Sequence, residues 1–305
     1  MRTVGEWVRQ VEGALAAAGL HFGHGTDNAL DEAAWLVLHT IGAPLDGGFD
    51  DWEQTVDEIP AARIASVLQE RIVTRQPLAY LLGEAWFCGL AFEVTPDTLV
   101  PRSPIAELIV NQFRPWCDSN RLNRVLDLCT GGGCIAIATA LALPQAQVDG
   151  ADLSEAALAV ARRNASRHGV EDRTRWLPSD GFDALAGERY DLVVTNPPYV
   201  AETGKAALPG EFHAEPEIGL FSGPDGLDLP LRILLQCQHH LADGGVLVME
   251  VGESAERLQE GLPGVPFTWL EFERGGEGVL TLDREALVAC EPAVRAFMDR
   301  REDVG

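Results

Sequence analysis

The chain has 305 residues, of which 46% are hydrophobic, so two domains with ordinary cores are expected. It carries 47 acidic residues against 23 basic ones, a net charge of −24 with Lys205 as the sole lysine. Such a balance repels nucleic-acid backbones and favours basic partners, or else serves only solubility in a salty cytoplasm, so no direct nucleic-acid partner is expected. With no apolar segment after Met1-Arg2 and no run of 18 apolar residues, the expected location is cytoplasmic, with no membrane contact.

Residues 1–83 read as a helical domain. Trp7, Val8, Val11, Leu15 and Ala18 share one helical face that stops at Gly19. Thr26-Asp27-Asn28 caps a second helix carrying Leu30, Ala33, Ala34, Val37 and Leu38, and Pro60 opens a third through Ile64, Val67, Leu68 and Ile72. No catalytic spacing occurs here, and the region is either a plain bundle or a substrate-recognition module. Residues 84–101 form a linking β-hairpin turned at Cys88-Gly89. Ser103 then caps, and Pro104 opens, a helix running through Ile105, Leu108, Ile109 and Phe113. Arg102, just before it, is a surface charge or a pin between hairpin and cofactor loop.

Residues 102–305 form the third segment. From Arg124 onward, apolar strands alternate with helices: strands at 124–128, 147–151, 174–177, 190–194 and 245–250, and helices at 135–142, 154–168 and 229–241. That alternation predicts a doubly wound, mostly parallel α/β sheet with its ligands at the carboxyl ends of the strands. Thr268–Phe272 and Gly278–Leu282, joined by Arg274-Gly275-Gly276-Glu277, predict a closing antiparallel hairpin, and 283–305 a peripheral helix with a frayed tail. The six cysteines show no C-x-x-C pairing, and neither His21/His24 nor His239-His240 has ligands at zinc spacing, so no metal is expected.

The chemistry gathers at the strand ends. Asp127-Leu128-Cys129-Thr130-Gly131-Gly132-Gly133 bridges a strand and a helix without P-loop or dinucleotide spacing. An acid at that point repels pyrophosphate and attracts a sulfonium or an amino group. Asp152, followed by Leu153, ends the next strand, where an acid takes ribose hydroxyls or merely caps the following helix. Asp180-Gly181-Phe182 follows the third strand and offers an acid and a ring for the edge and face of an adenine. Thr195-Asn196-Pro197-Pro198-Tyr199 ends the fourth. Each proline fixes its own φ, so the Asn196 side-chain oxygen and the Pro197 carbonyl stand as two acceptors in fixed geometry. That pair suits a planar NH2 group, with Tyr199 as a wall.

Asp127 to Gly133, Asp152, Asp180 and Asn196-Pro197-Pro198-Tyr199 resemble the motifs of class I S-adenosylmethionine-dependent methyltransferases acting on amino or amide nitrogen. The helical start, the hairpin, Pro101-Arg102, Glu215-Pro216 and Gly223-Pro224-Asp225-Gly226-Leu227 extend the resemblance to the HemK-like protein-glutamine methyltransferases, over most of the chain. Ser103-Pro104-Ile105-Ala106-Glu107-Leu108 after Pro-Arg resembles the PrmB branch, which modifies a glutamine of protein three of the large ribosomal subunit. One departure is Cys129, at a position that is often glycine.

The resemblance implies a Rossmann-like methyltransferase fold with S-adenosyl-L-methionine as cofactor. The cofactor would be held by Asp127, Cys129, Thr130, Gly131, Gly133, Asp152, Leu153, Asp180, Gly181, Phe182 and Asn196. Asn196, Pro197, Pro198 and Tyr199 would hold the substrate, with Asn196, Pro197 and Tyr199 catalytic. The ribosomal protein is the expected substrate. Glutamine methylation of peptide-chain release factors is the alternative, and an adenine amine in nucleic acid a weaker one that the acidity opposes. Nothing in the sequence fixes the oligomeric state. Amide methylation requires alignment rather than a base, so His213 and Glu215 are not nominated. They lie in 201–228, a Gly- and Pro-rich stretch read as a substrate-covering lid.

Overall fold

A computed structural model describes residues 1–273 and 275–302, which divide into two units. The first comprises 1–96, 100–102 and 208–215, and the second holds the remainder.

In the first unit, α1 (Val4–Ala17) begins at a capping box: the Thr3 hydroxyl accepts from the Glu6 amide and the Glu6 carboxylate from the Thr3 amide. Its buried face is Val4, Trp7, Val8, Val11 and Leu15. Asn28 caps α2 (Ala29–Ile41) through its side chain, and Gly42 ends it in the left-handed conformation. The third helix, α3 (Glu58–Thr74), starts two residues earlier than Pro60, which sits in the first turn, where its missing N–H costs nothing. A short α4 (Leu78–Leu82), unassigned from sequence, leads into β1 (Glu84–Phe87) and β2 (Leu90–Glu93), an antiparallel pair. Both turn residues have positive φ, 51° at Cys88 and 74° at Gly89, the requirement of a tight two-residue hairpin. The hairpin segment was expected to be a linker. Ala85, Val94 and Val100 instead share one buried cluster with Trp7, Leu36 and Ile64, so the segment is part of the bundle's core.

The second unit opens with α5 (Ile105–Val110). Ser103 does accept from the Ile105 amide, but Pro104 occupies the cap position and the helix stops before Phe113. Gln112 and Phe113, at φ 55° and 60°, cannot continue it. The elements then follow as β3 (Arg124–Leu128), α6 (Cys134–Ala142), β4 (Gln147–Asp152), α7 (Glu155–His168), β5 (Thr174–Pro178) and β6 (Tyr190–Thr195). After them come α8 (Glu217–Leu220), α9 (Asp228–Gln236), β7 (Leu241–Glu250), α10 (Ala255–Gly261), β8 (Thr268–Trp269), β9 (Val279–Asp283) and α11 (Arg284–Glu302). The expected helix over 229–241 ends at Gln236 in a 3-10 turn, and β7 starts at Leu241 rather than at Gly245.

The sheet order is β5-β4-β3-β6-β7-β9-β8, parallel except for β9, which is antiparallel to both neighbours. This is the doubly wound α/β class predicted from the strand–helix alternation. The closing hairpin forms with only Thr268–Trp269 of its first run in the ladder, and Arg274 of its connection lies outside the described residues. The last helix is not peripheral: Leu287, Cys290 and Val294 of α11 are buried in the sheet's core. The expected frayed tail, 303–305, lies outside the described residues. Among the described residues no helix is long and apolar enough to cross a membrane.

The order in which strands are added reverses between β3 and β6, which run parallel. Strands β4 and β5 are laid down on one side, β7 on the other, and β3 pairs directly with β6, Leu128 opposite Thr195. A crevice opens at the carboxyl ends of such a pair. The glycine-rich loop and the Asn-Pro-Pro-Tyr loop therefore leave the sheet side by side.

Candidate active site

Asp127 is fully buried at the end of β3. Its Oδ2 accepts from the Thr130 hydroxyl at 2.5 Å and from the Ala136 amide at 3.0 Å, which ties the glycine loop to the start of α6. Its Oδ1 is buried with no hydrogen-bond partner among the described residues. Burial pushes the carboxyl up to about 7, with Thr130 and Ala136 pulling the other way and Asp152 adding to the rise. A buried carboxylate oxygen without a donor fits a cationic amino group arriving from outside.

The loop's glycines divide by role. Gly131, at φ 55°, faces open space within 4 Å of its missing side chain. A Cβ on Gly133 would stand 2.8 Å from the Trp176 ring and 3.0 Å from Ala161, so this glycine makes room for protein packing. Cys129 adopts φ 61°, a left-handed conformation costing a non-glycine residue about 1–2 kcal/mol. That explains physically why glycine suits the position. Thr195 Oγ1 donates to the Leu128 carbonyl at 2.7 Å, and Asn164 Nδ2 to the Gly132 carbonyl at 2.9 Å. Neither brace was singled out from sequence.

Asp152, at the end of β4, accepts from the Gly131 amide through Oδ2 and from the Ser154 amide through Oδ1, both at 2.8 Å. It organises the loop rather than capping α7, a task Ser154 performs toward Ala157. Burial raises its carboxyl and these amides oppose the rise. The neighbouring Leu153 exposes 56% of its surface and is open to an apolar ligand face.

Asp180 and Gly181 follow β5. Phe182 departs from its expected role: its ring is buried and stacked on His240 at 4.5 Å, part of the core rather than a face open to adenine.

Beyond β6, Pro197 is buried while Asn196, Pro198 and Tyr199 are half-buried. Among the described residues, neither the Asn196 side chain nor the Pro197 carbonyl has a hydrogen-bond partner. The loop is held from behind. The Tyr199 hydroxyl donates to Glu250 Oε1 at 2.9 Å, Ser103 donates to Glu250 Oε2 at 2.5 Å, and Ser254 donates to the Tyr199 carbonyl at 2.6 Å. A Cβ on Gly252 would lie 2.5 Å from the Tyr199 ring, and one on Gly226 would lie 2.1 Å from its carbonyl. Tyr199 is thus clamped on several sides and wedged against backbone. Glu250 was missed in the sequence, although a lone acid closing the apolar run Val246–Met249 is a visible signal.

Arg102 is not a loose surface charge. Within the first unit it makes a bidentate pair with Glu215, both bonds 2.7 Å, and its guanidinium lies over Phe212. His24 approaches the same carboxylate at 3.3 Å. Burial would raise the Glu215 carboxyl, but His24 and Arg102 outweigh it and hold it at about 2. Glu211 takes Arg71 and Arg75, and Arg71 also pairs with Glu32. Segment 208–215, expected to be part of a lid, is to this extent a member of the first unit.

Residues 106–215 match the methyltransferase small domain family. Nearly the whole chain is similar to proteins named ribosomal protein uL3 glutamine methyltransferase. It is 46% identical over 301 residues to that of Xanthomonas campestris pv. campestris, covering 99% of this chain and 97% of the relative. For that of Xylella fastidiosa strain Temecula1 the identity is 43% over 304 residues, covering 99% and 96%. For that of Francisella tularensis subsp. tularensis it is 40% over 301 residues, covering 98% and 96%.

Proposed function

The chain belongs to the ribosomal protein uL3 glutamine methyltransferases, and from that premise we propose that it transfers a methyl group from S-adenosyl-L-methionine to a glutamine side-chain amide of uL3, at the loop Asn196–Tyr199. The observation that carries the assignment of roles is the adjacency, where β3 pairs with β6, of a buried carboxylate oxygen on Asp127 and an acceptor pair on Asn196 and Pro197, all without partners among the described residues.

S-adenosyl-L-methionine supplies a methyl on a positively charged sulfur, already activated for departure. Asp127 Oδ1 would receive its amino group, Gly131 would let the chain approach, Asp152 would take ribose hydroxyls, and Leu153 and Asp180 would meet the base. The substrate amide poses the harder problem, because its nitrogen lone pair is delocalised into the carbonyl. Asn196 Oδ1 and the Pro197 carbonyl accept the two N–H bonds and so fix the plane of the amide. They also stabilise the positive charge that develops on nitrogen. Tyr199, immobilised by Glu250 and Gly252, walls that plane. No general base is required before transfer, since the methylated nitrogen is far more acidic and sheds its proton afterwards. Glu215, committed to Arg102 and His24, is not one. The acidic surface suits a basic ribosomal substrate.

The test is transfer of labelled methyl to purified uL3, a peptide-chain release factor and an adenine-containing oligonucleotide, side by side. Label confined to a glutamine of uL3 is expected. Label on the release factor would move the substrate, and label on the oligonucleotide would overturn the amide reading.

A further inference from the structure

Helix α9 carries one basic residue, Arg232, and nothing in the assigned chemistry uses it. Its Nη2 donates to Asp180 Oδ1. An Arg–Asp pair near the surface is ordinarily worth little, but three features set this one apart. Gly181 stands at φ 56°, and a Cβ there would lie 2.7 Å from Arg232 Nη2, so the left-handed glycine provides the seat for the guanidinium. The Nε of Arg232 is buried without a hydrogen-bond partner among the described residues, a cost not explained by a bridge made for stability alone. Asp180 Oδ2 has no partner among the described residues, while its neighbour Oδ1 is taken.

We propose that Arg232 is a positioning and specificity-determining residue: by holding Asp180 Oδ1 it aims Oδ2 at the exocyclic amine of the cofactor's adenine. This rests on the reading of Asp180 as the acceptor of that amine. A free aspartate turns about two bonds and must be ordered when the ligand arrives; one held by a guanidinium has already lost that freedom. The same contact holds its carboxyl below the usual range, so the group stays ionised further into acid. An ionised acceptor rewards an N–H donor and gives nothing to a C–H.

The experiment is calorimetric titration with S-adenosylhomocysteine and with its analogue bearing hydrogen in place of the 6-amino group. It uses the wild type, Arg232→Met, Arg232→Gln and Asp180→Ala. The wild type is expected to prefer the amine by about tenfold, the net worth of one charge-assisted hydrogen bond. Arg232→Met should lose about fivefold on the amino ligand and change less than twofold on the deaminated one, with its amine preference failing at a higher pH on acidification than in the wild type. Arg232→Gln, which keeps a donor, should fall between. Equal weakening of both ligands would make Arg232 merely an anchor of α9, and no change in either would make it a surface ion pair; both overturn the proposal. If the wild type and Asp180→Ala show the same lack of preference, the Asp180 reading fails, and the proposal fails with it by a distinguishable route.

Discussion

Glu215 in the first unit and Asp127 in the second are both carboxylates withdrawn from water, and their surroundings treat them in opposite ways. Glu215 has Arg102 and His24 beside it and is held at about 2. Asp127 receives only a hydroxyl and an amide, keeps one oxygen orphaned, and is pushed up to about 7. The first arrangement completes itself within the protein; the second is completed only from outside. The same division runs through the amide and carbonyl groups, for Asn196 and Pro197 have no partner among the described residues while Tyr199 behind them has several contacts. Glu215 is closed within the protein, whereas Asp127 Oδ1 and the Asn196–Pro197 acceptor pair stand open to an arriving ligand.

Mutations that separate stability from the reaction sharpen this contrast. Asn196→Ala removes an acceptor with no partner among the described residues, so the melting temperature should hold and cofactor affinity should change only a few-fold, while kcat falls about 10³-fold. A drop in melting temperature of many degrees would place Asn196 among the structural groups. Glu215→Ala should do the reverse. It strands His24 and Arg102, and unfolding by denaturant should show about 3 kcal/mol lost. The unfolded Glu215 titrates near its ordinary 4.5 and the folded one at about 2, so its contribution is present above 4.5 and disappears as pH falls through 2. The variant should lack that part of the acid transition.

Asp127→Asn tests the opposite sign. Between its ordinary 3.8 and about 7 the folded state holds the Asp127 proton that the unfolded chain releases, so this group lowers stability as pH rises across that window. The Asn variant should show a flatter profile there and be no less stable at pH 8, yet bind S-adenosylhomocysteine about thirtyfold more weakly, roughly 2 kcal/mol. Wild-type affinity should improve between pH 5 and 7 and the variant's should not, as calorimetry across that range would reveal. The smallest effect is expected from Tyr199→Phe, which cuts one bond to Glu250 but leaves the ring wedged on Gly252. About 1 kcal/mol of stability and a several-fold loss in kcat should follow; an effect as large as that of Asn196→Ala would give the hydroxyl itself a part in the reaction.

What the residues announced, and what they concealed, follows from the range of the interactions. Apolar runs punctuated by glycine and acid marked β3, β4 and β6, because a strand buried on both faces has a composition of its own. Asn28 and Ser154 marked helix starts, since capping acts within three residues. The rotation of Phe182 into the core did not show, because a loop side chain chooses its direction by what lies across space, in this case His240. Gly133 read as a ligand glycine for the same reason: Trp176, the ring it accommodates, is 43 positions away in sequence. The membership of Ala85, Val94 and Val100 in the bundle's core, and of Leu287 and Val294 in the sheet's, likewise depends on distant partners.

The division of the chain has a consequence for anyone wishing to cut it. Glu211 and Glu215 come from a stretch inside the second half of the sequence, while their partners Arg71, Arg75, Arg102 and His24 all lie within the first 102 residues. The polypeptide is sewn rather than spliced, and no single scission frees either half with its own stitches intact. A fragment beginning after residue 102 would carry two acids deprived of their bases, and the complementary fragment would carry the bases alone.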